Sequence, residues 1–217
     1  MSITSKVITA ALALGVVTGV GAAGAHTANA ATPKCGAFCT NFYSKALGKG
    51  YLVNVVNQAS QIGQPASLAK AADTNAGEDY VLSTQGLVKN FYRAGLISAG
   101  LDALYPNLAV VEIGYVPAGK PSGLCLGVGT APGAGTPVTL QTCGANARTT
   151  WILDPVTTSS GTYDELFSGA TAGDFQHPYS LTGGLAGQPL LTEPLASADP
   201  ALTHQLWGDF EGVIPAS

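Results

Sequence analysis

The sequence predicts an all-β fold made of three pseudo-repeats, with a short helical insertion between the first and second. Three observations predict it. A Gly-x-Pro turn occurs three times, at Gly63-Gln64-Pro65, Gly135-Thr136-Pro137 and Gly187-Gln188-Pro189, each between two short apolar strands. An aromatic follows each turn at a similar interval: Tyr80, Trp151 and Trp207. The chain is also poor in charge (10%) and carries 28 glycines and 13 prolines, a composition suited to short strands joined by tight turns.

The elements follow in order. In the first repeat, about residues 35–93, the strands are Tyr51 to Val56, the stretch from Gly63 to Leu68, and Gly77 to Leu82. The second, about 109–155, has Leu124 to Val128, Gly135 to Leu140 and Thr149 to Leu153. The third, about 160–212, has Tyr179 to Leu181, Gly187 to Thr192 and Gln205 to Phe210. An alternating stretch precedes the second and third units, Val110 to Val116 and Thr162 to Phe167, and reads as a half-buried strand. Phe38 to Leu47 takes that place in the first unit, with Ser44 to Leu47 open to a helical turn. Ala94 to Leu104 reads as the short helix of the insertion, stopped by Pro106. Three units of about four strands, closed around a pseudo-threefold axis, make a β-trefoil. Tyr80, Trp151 and Trp207 then fill one shared core, and no unit is stable alone.

The first thirty residues read as a signal peptide. Lys6 precedes an uncharged run from Val7 to Ala25, and Ala28-Asn29-Ala30 supplies the small-x-small cut site before Ala31. A retained membrane anchor is the competing reading, weakened by Gly15, Gly19, Gly21 and Gly24 and by the lack of a second apolar span. The expected product is a secreted, extracellular domain, residues 31–217. It is long enough for one domain with a sizeable core. With Lys6 in the leader, eight basic residues face thirteen acidic ones, a net charge of about −5. Such a surface, with no basic stripe, argues against nucleic-acid and anionic-membrane partners.

Four cysteines in an exported chain read first as disulfides, and three connectivities are open. They fall into two local pairs, Cys35/Cys39 and Cys125/Cys143. A Cys125–Cys143 bridge would stabilise the fold by about 3 kcal/mol on the chain-entropy account. Cys35 and Cys39 lack the Cys-x-x-Cys spacing of a redox site, and only His177 and His204 follow the leader, too few for a zinc site. No metal and no cofactor is expected.

The second unit, Cys125-Leu126-Gly127-Val128 followed by Gly135-Thr136-Pro137-Val138-Thr139-Leu140-Gln141-Thr142-Cys143 and Trp151, resembles the repeat of the ricin B-type lectin family. The third supplies Gln205-Leu206-Trp207, like that family's Gln-x-Trp close, where the first has Glu78-Asp79-Tyr80. The chain is thus similar to a degenerate member of that family over most of residues 48–211. The resemblance implies a Cys125–Cys143 disulfide and shallow sugar sites, one per repeat. In such a site a carboxylate takes vicinal hydroxyls, a ring stacks on the sugar and an amide near Gln-x-Trp completes the set. The carboxylate position reads Asn54, Gly127 and Ser180, and the stacking position about Lys70, Gln141 and Glu193. Asn54, His204 and Gln205 are therefore the candidate sugar-binding residues. Asn54 is also open to a turn role, and Gln205 to bonding buried backbone.

Catalysis is not expected. Adjacent carboxylates on a strand, such as Glu78-Asp79 or Asp164-Glu165, point to opposite faces, whereas a glycosidase needs a facing pair. Neither histidine is accompanied by a Gly-x-Ser-x-Gly turn, and no nucleotide fingerprint occurs. The implied partner is an extracellular glycan or polysaccharide; the alternative is a protein-interaction or inhibitory trefoil without sugar binding, whose insertion at Ala94 to Leu104 seals a core or presents a patch.

Overall fold

The computed structural model describes residues 39–211 apart from 73–74, 145 and 200. The leader, its cut site and Cys35 lie outside the described residues, and with them the Cys35–Cys39 pairing. Each repeat contributes four strands. The first has Thr40–Ser44 (β1), Tyr51–Val55 (β2), Ala66–Lys70 (β3) and Tyr80–Leu87 (β4). Two short helices follow, Val88–Arg93 (α1) and Ala99–Leu104 (α2). The second repeat has Ala109–Tyr115 (β5), Leu124–Val128 (β6), Thr136–Thr142 (β7) and Thr150–Thr158 (β8). The third has Gly161–Ser168 (β9), Tyr179–Thr182 (β10), Leu191–Pro194 (β11) and Leu206–Glu211 (β12).

Pairing closes a ring. β1 pairs with β4, β4 with β5, β5 with β8, β8 with β9, β9 with β12, and β12 returns to β1, all antiparallel. The three hairpins β2–β3, β6–β7 and β10–β11 stand outside this six-stranded barrel. A ring of antiparallel strands leaves no open barrel edge. The architecture is the three-unit β-trefoil that the repeats predict.

The Gly-x-Pro turns are what join the hairpins. Gly63 N–H donates to Leu140 O (2.8 Å), Gly135 N–H to Thr192 O (3.0 Å) and Gly187 N–H to Leu68 O (2.7 Å). Each acceptor lies five residues past the glycine of the next unit, so the three bonds run around the axis as a cycle. All three glycines sit at positive φ, +83°, +74° and +77°, where a side chain is strained. The proline stands before the second strand (Pro65, Pro189) or at the start of its pairing (Pro137), where its missing N–H is not needed.

Alternation along the strands divides the core. Val111, Ile113 and Tyr115 of β5 join Tyr80, Trp151, Trp207, Leu126, Leu140 and Leu166 in the main core. From the opposite faces, Val110, Ile152 and Phe167 form a second cluster with Val88, Phe91, Ile97 and Leu101 of the insertion. The insertion therefore seals apolar surface on the outside of the barrel. Its helix differs from the expected Ala94 to Leu104: Gly95, at φ +73°, breaks that span. α2 starts at Ala99 because the Ser98 side chain accepts from Leu101 N–H. α1 begins at Val88, directly after β4, and has no side-chain cap to mark it in the sequence.

Cys125 and Cys143 are disulfide-bonded across the base of the β6–β7 hairpin. Cys39 is also disulfide-bonded, and no described cysteine is free.

Candidate functional site

In the second and third repeats the shelf that the sequence assigns to a sugar is aligned by matching hydrogen bonds. Trp151 Nε1 donates to Leu126 O and Trp207 Nε1 to Leu181 O, both at 3.0 Å. Two residues further along, Val128 N–H donates to Arg148 O and Gly183 N–H to His204 O, at 3.0 and 2.9 Å. The strand registers agree: Val53 faces Leu68, Leu126 faces Leu140 and Leu181 faces Thr192, each acceptor strand counted from its Gly-x-Pro turn. Asn54, Gly127 and Thr182 therefore hold the carboxylate position. Ser180, expected there from sequence, lies two residues early, buried and bonded to Leu166 O at 3.2 Å. The count slips because β10 has Ser180-Leu181 where the second repeat has Cys125-Leu126, so no cysteine marks the position; Thr182 is the fourth residue of its strand, as Asn54 and Gly127 are of theirs. By the same registers the stacking position reads Ala69, not Lys70, with Gln141 and Glu193.

None of these positions presents a free set of ligand groups. Asn54 is only 8% exposed, and its Oδ1 accepts from Asn75 Nδ2 at 2.9 Å. Gly77 lies so close over Asn54 that a Cβ there would collide with the Asn54 side chain. At Gly127 an added Cβ would meet Arg148 O at 2.5 Å, so any side chain at this shelf is excluded. Thr182 is half-buried; its hydroxyl donates to Ser180 O and accepts from Gln205 Nε2, both at 3.1 Å. Glu193 Oε1 accepts from Gly135 N–H at 3.0 Å.

Gln205 is 2% exposed and its amide is consumed internally: Oε1 accepts from Ala196 N–H at 2.7 Å, and Nε2 also donates to Pro194 O at 3.0 Å. The same backbone position is held in every repeat. Ala72, Gly144 and Ala196 each lie nine residues past their turn glycine. Ala72 N–H donates to Glu78 Oε2 at 3.3 Å and Gly144 N–H to Glu112 Oε1 at 3.1 Å. Glu112 also accepts from the buried Thr149 hydroxyl at 2.8 Å. Thr149 sits where the other repeats have Glu78 and Gln205, and is too short to reach the loop, so a carboxyl from β5 completes the contact. Sequence reasoning missed Glu112, since its only signal is a polar residue on an otherwise apolar strand. Glu78, expected on a strand with Asp79, lies instead in a 3-10 turn, Ala76–Glu78.

His204 is half-buried at the end of the third shelf, with its Nδ1 buried and without a partner. His177 Nδ1 pairs with Asp174 Oδ2 at 2.9 Å on an exposed loop. Among the described residues no His, Cys, Asp and Glu group of three or more is arranged to hold a metal, and no helix is long and apolar enough to cross a membrane.

No protein-family model and no curated protein matches the chain. Solved structures do. A designed threefold-symmetric protein, ThreeFoil, superposes with a TM-score of 0.55 at 13% identity, over 80% of this chain and 98% of that one. The agglutinin of Rhizoctonia solani gives 0.50 at 13%, over 81% and 96%. A mosquitocidal holotoxin gives 0.52 at 12%, with 81% of this chain matching 17% of the toxin. At such identities the likeness is one of fold, and the fold is the β-trefoil.

Proposed function

We propose that this chain is a secreted, non-enzymatic binding protein of ricin B type whose ligand is an extracellular glycan, met at the third repeat. The observation that carries the reading is the pairing of Thr182 with Gln205 beside His204. It places a half-exposed hydroxyl and an imidazole on the one shelf whose Gln-x-Trp close is intact. A hydroxyl held by a buried amide is pre-oriented, which reduces the ordering cost of a sugar hydrogen bond. The likeness to an agglutinin supports the same class. Binding through one shelf without a carboxylate or a stacking ring is weak and monovalent.

A second reading, a protein-interaction or inhibitory trefoil, is favoured by the closure of the first two shelves over Asn54 and Gly127. Glycan-array and polysaccharide pull-down measurements separate the two. The lectin reading expects binding that weakens in His204→Ala and Thr182→Val while Asn54→Ala leaves it unchanged. Signal at background for the unmodified protein overturns it and leaves the protein-partner reading.

A further inference from the structure

The shelf of the third repeat has neither a carboxylate on β10 nor an aromatic ring, yet its stacking position is filled. Glu193 of β11 stands there, directly opposite Ser180, while Leu191 stands opposite Thr182. Residues that face each other in an antiparallel ladder share a side of the sheet, and so do residues two apart on one strand. Thr182 and Glu193 are therefore diagonal neighbours on the shelf side, about 7–8 Å apart between Cα atoms. One sugar residue with its substituents bridges that separation. Both side chains are half-buried, so each keeps a part that faces solvent.

The polar groups gathered there are nearly all of one kind. The Thr182 proton goes to Ser180 O, and one of its two lone pairs accepts from Gln205 Nε2, which leaves an acceptor and no donor. Gln205 has given Oε1 to Ala196 N–H and its two amide protons to Thr182 and to Pro194 O. The Glu193 carboxylate accepts from Gly135 N–H at 3.0 Å through Oε1, and among the described residues no other group is bonded to it. That bond anchors the side chain and leaves Oε2 to a ligand, since an ionised carboxylate has about four acceptor sites. His204 can meet a ligand only through Nε2, because its Nδ1 is buried without a partner. The shelf thus offers acceptors and a negative charge, and its ligand must bring donors. The surrounding chain has the same sign: residues 160–212 hold seven of the thirteen carboxylates and no lysine or arginine.

We propose that the third-repeat shelf takes an amino sugar with a free, protonated amine, its ammonium on Glu193 and a neighbouring hydroxyl on Thr182. The proposal rests on the glycan reading of this shelf and names the class of sugar. A charge-assisted hydrogen bond to the carboxylate replaces the contact that a stacking ring would make. The other carboxylates of the repeat serve only to draw a cation toward it, since exposed charges farther than roughly 8 Å are screened at physiological salt. N-acetylation removes the charge and two of the three N–H donors. A uronic acid sets a second carboxylate against Glu193 and is repelled.

The test is isothermal titration calorimetry at mildly acidic pH, where sugar amines are charged, with tetrasaccharides of glucosamine, N-acetylglucosamine and galacturonic acid. Glucosamine is expected to bind about tenfold or more tighter than its N-acetyl form, the effect of one charge-assisted hydrogen bond, and galacturonate not at all. Glu193→Gln keeps an oxygen for Gly135 N–H and should bring glucosamine down to the N-acetyl level. Asp199→Asn, an equal change of charge on an exposed loop, should alter binding less than about twofold. Amide shifts on adding glucosamine should map to residues 182–184, 193–194 and 203–205. N-acetylglucosamine bound as tightly as glucosamine, or glucosamine affinity unchanged in Glu193→Gln, overturns the proposal; the first comparison needs only the unmodified protein. No glucosamine binding beside a positive glycan array strikes this inference alone, and background on the array as well strikes the glycan reading.

Discussion

Replacing Glu112 by alanine tests whether the loop contacts at the threefold-related positions carry stability. The carboxyl Oε1 accepts two hydrogen bonds, from Gly144 N–H at 3.1 Å and from Thr149 Oγ1 at 2.8 Å. Gly144 is exposed and its amide regains water once released. Thr149 is fully buried, and its remaining acceptor, Asn146 O, lies at 3.3 Å. Loss of the first bond costs about 1 kcal/mol, and leaving the hydroxyl poorly paired costs about 1–3 kcal/mol. Glu112→Ala should therefore lose about 2–4 kcal/mol, and Glu112→Gln, which keeps an acceptor oxygen, less than about half of that. For a chain of this length that is a fall in Tm of roughly 4–16 °C in the alanine variant. Calorimetry gives the Tm, and hydrogen exchange of the Gly144 amide locates the change. Equal melting of Glu112→Ala and the unmodified protein, or unaltered protection at Gly144, would refute the reasoning.

Two further predictions concern the axis and the third repeat. Gly63→Ala, Gly135→Ala and Gly187→Ala each force a side chain into positive φ and should cost about 1–2 kcal/mol by urea unfolding; one neutral site would show that its hydrogen bond is not part of the cycle. Stability should also fall with rising pH. Glu165 rises from 4.5 to about 7, so the contribution is present in full below about pH 4.5 and is lost as pH climbs through 7. Asp164, pushed to about 6 first by burial and then by Asp209 and Asp154, adds to the same loss. Urea midpoints measured from pH 4.5 to 8 should decline, and less steeply in Glu165→Gln; a midpoint that climbs over this window contradicts the assignment.

What could be read from the chain, and what could not, divides along one physical line. The trefoil was legible because its signals are local: a glycine that needs positive φ, a proline two residues later, strands of alternating polarity, and an aromatic at a fixed interval. The second apolar cluster was half legible, since Ile152 and Phe167 alternate out of the main core and demand cover, which Ala94 to Leu104 could supply. The boundaries of that cover were not, because Gly95 and Ser98 act through φ and a single capping bond. The shelves were least legible. Asn54 and Gln205 have the residue types of a sugar site, yet whether an amide faces solvent or a neighbouring loop depends on atoms nine to twenty-one residues away. Position Thr182 was hidden because Ser180 stands where the second repeat has Cys125, leaving no cysteine to set the register.

The same line explains how one family-like pattern leads to three different repeats. Every unit must satisfy the amide nine residues past its turn glycine. The first does so with Glu78, the second with Glu112 and the third with Gln205. A repeat that uses its Gln-x-Trp position for this purpose frees the strand carboxyl in front of it; a repeat that loses that position, as at Thr149, must draw the strand carboxyl in. Glu165 faces Leu206, the residue before Trp207, as Glu112 faces Thr150, the residue before Trp151, so the two are the outcomes of one choice. A double substitution puts this to the test. Gln205→Thr copies the second repeat into the third, and on this account Glu165 should then take over the Ala196 amide. Gln205→Thr alone is expected to lose less stability than Gln205→Thr with Glu165→Ala, by about 1 kcal/mol or more beyond the Glu165→Ala effect. Strict additivity of the two substitutions would mean that Glu165 has no reach to the loop, and the equivalence with Glu112 would be one of register only.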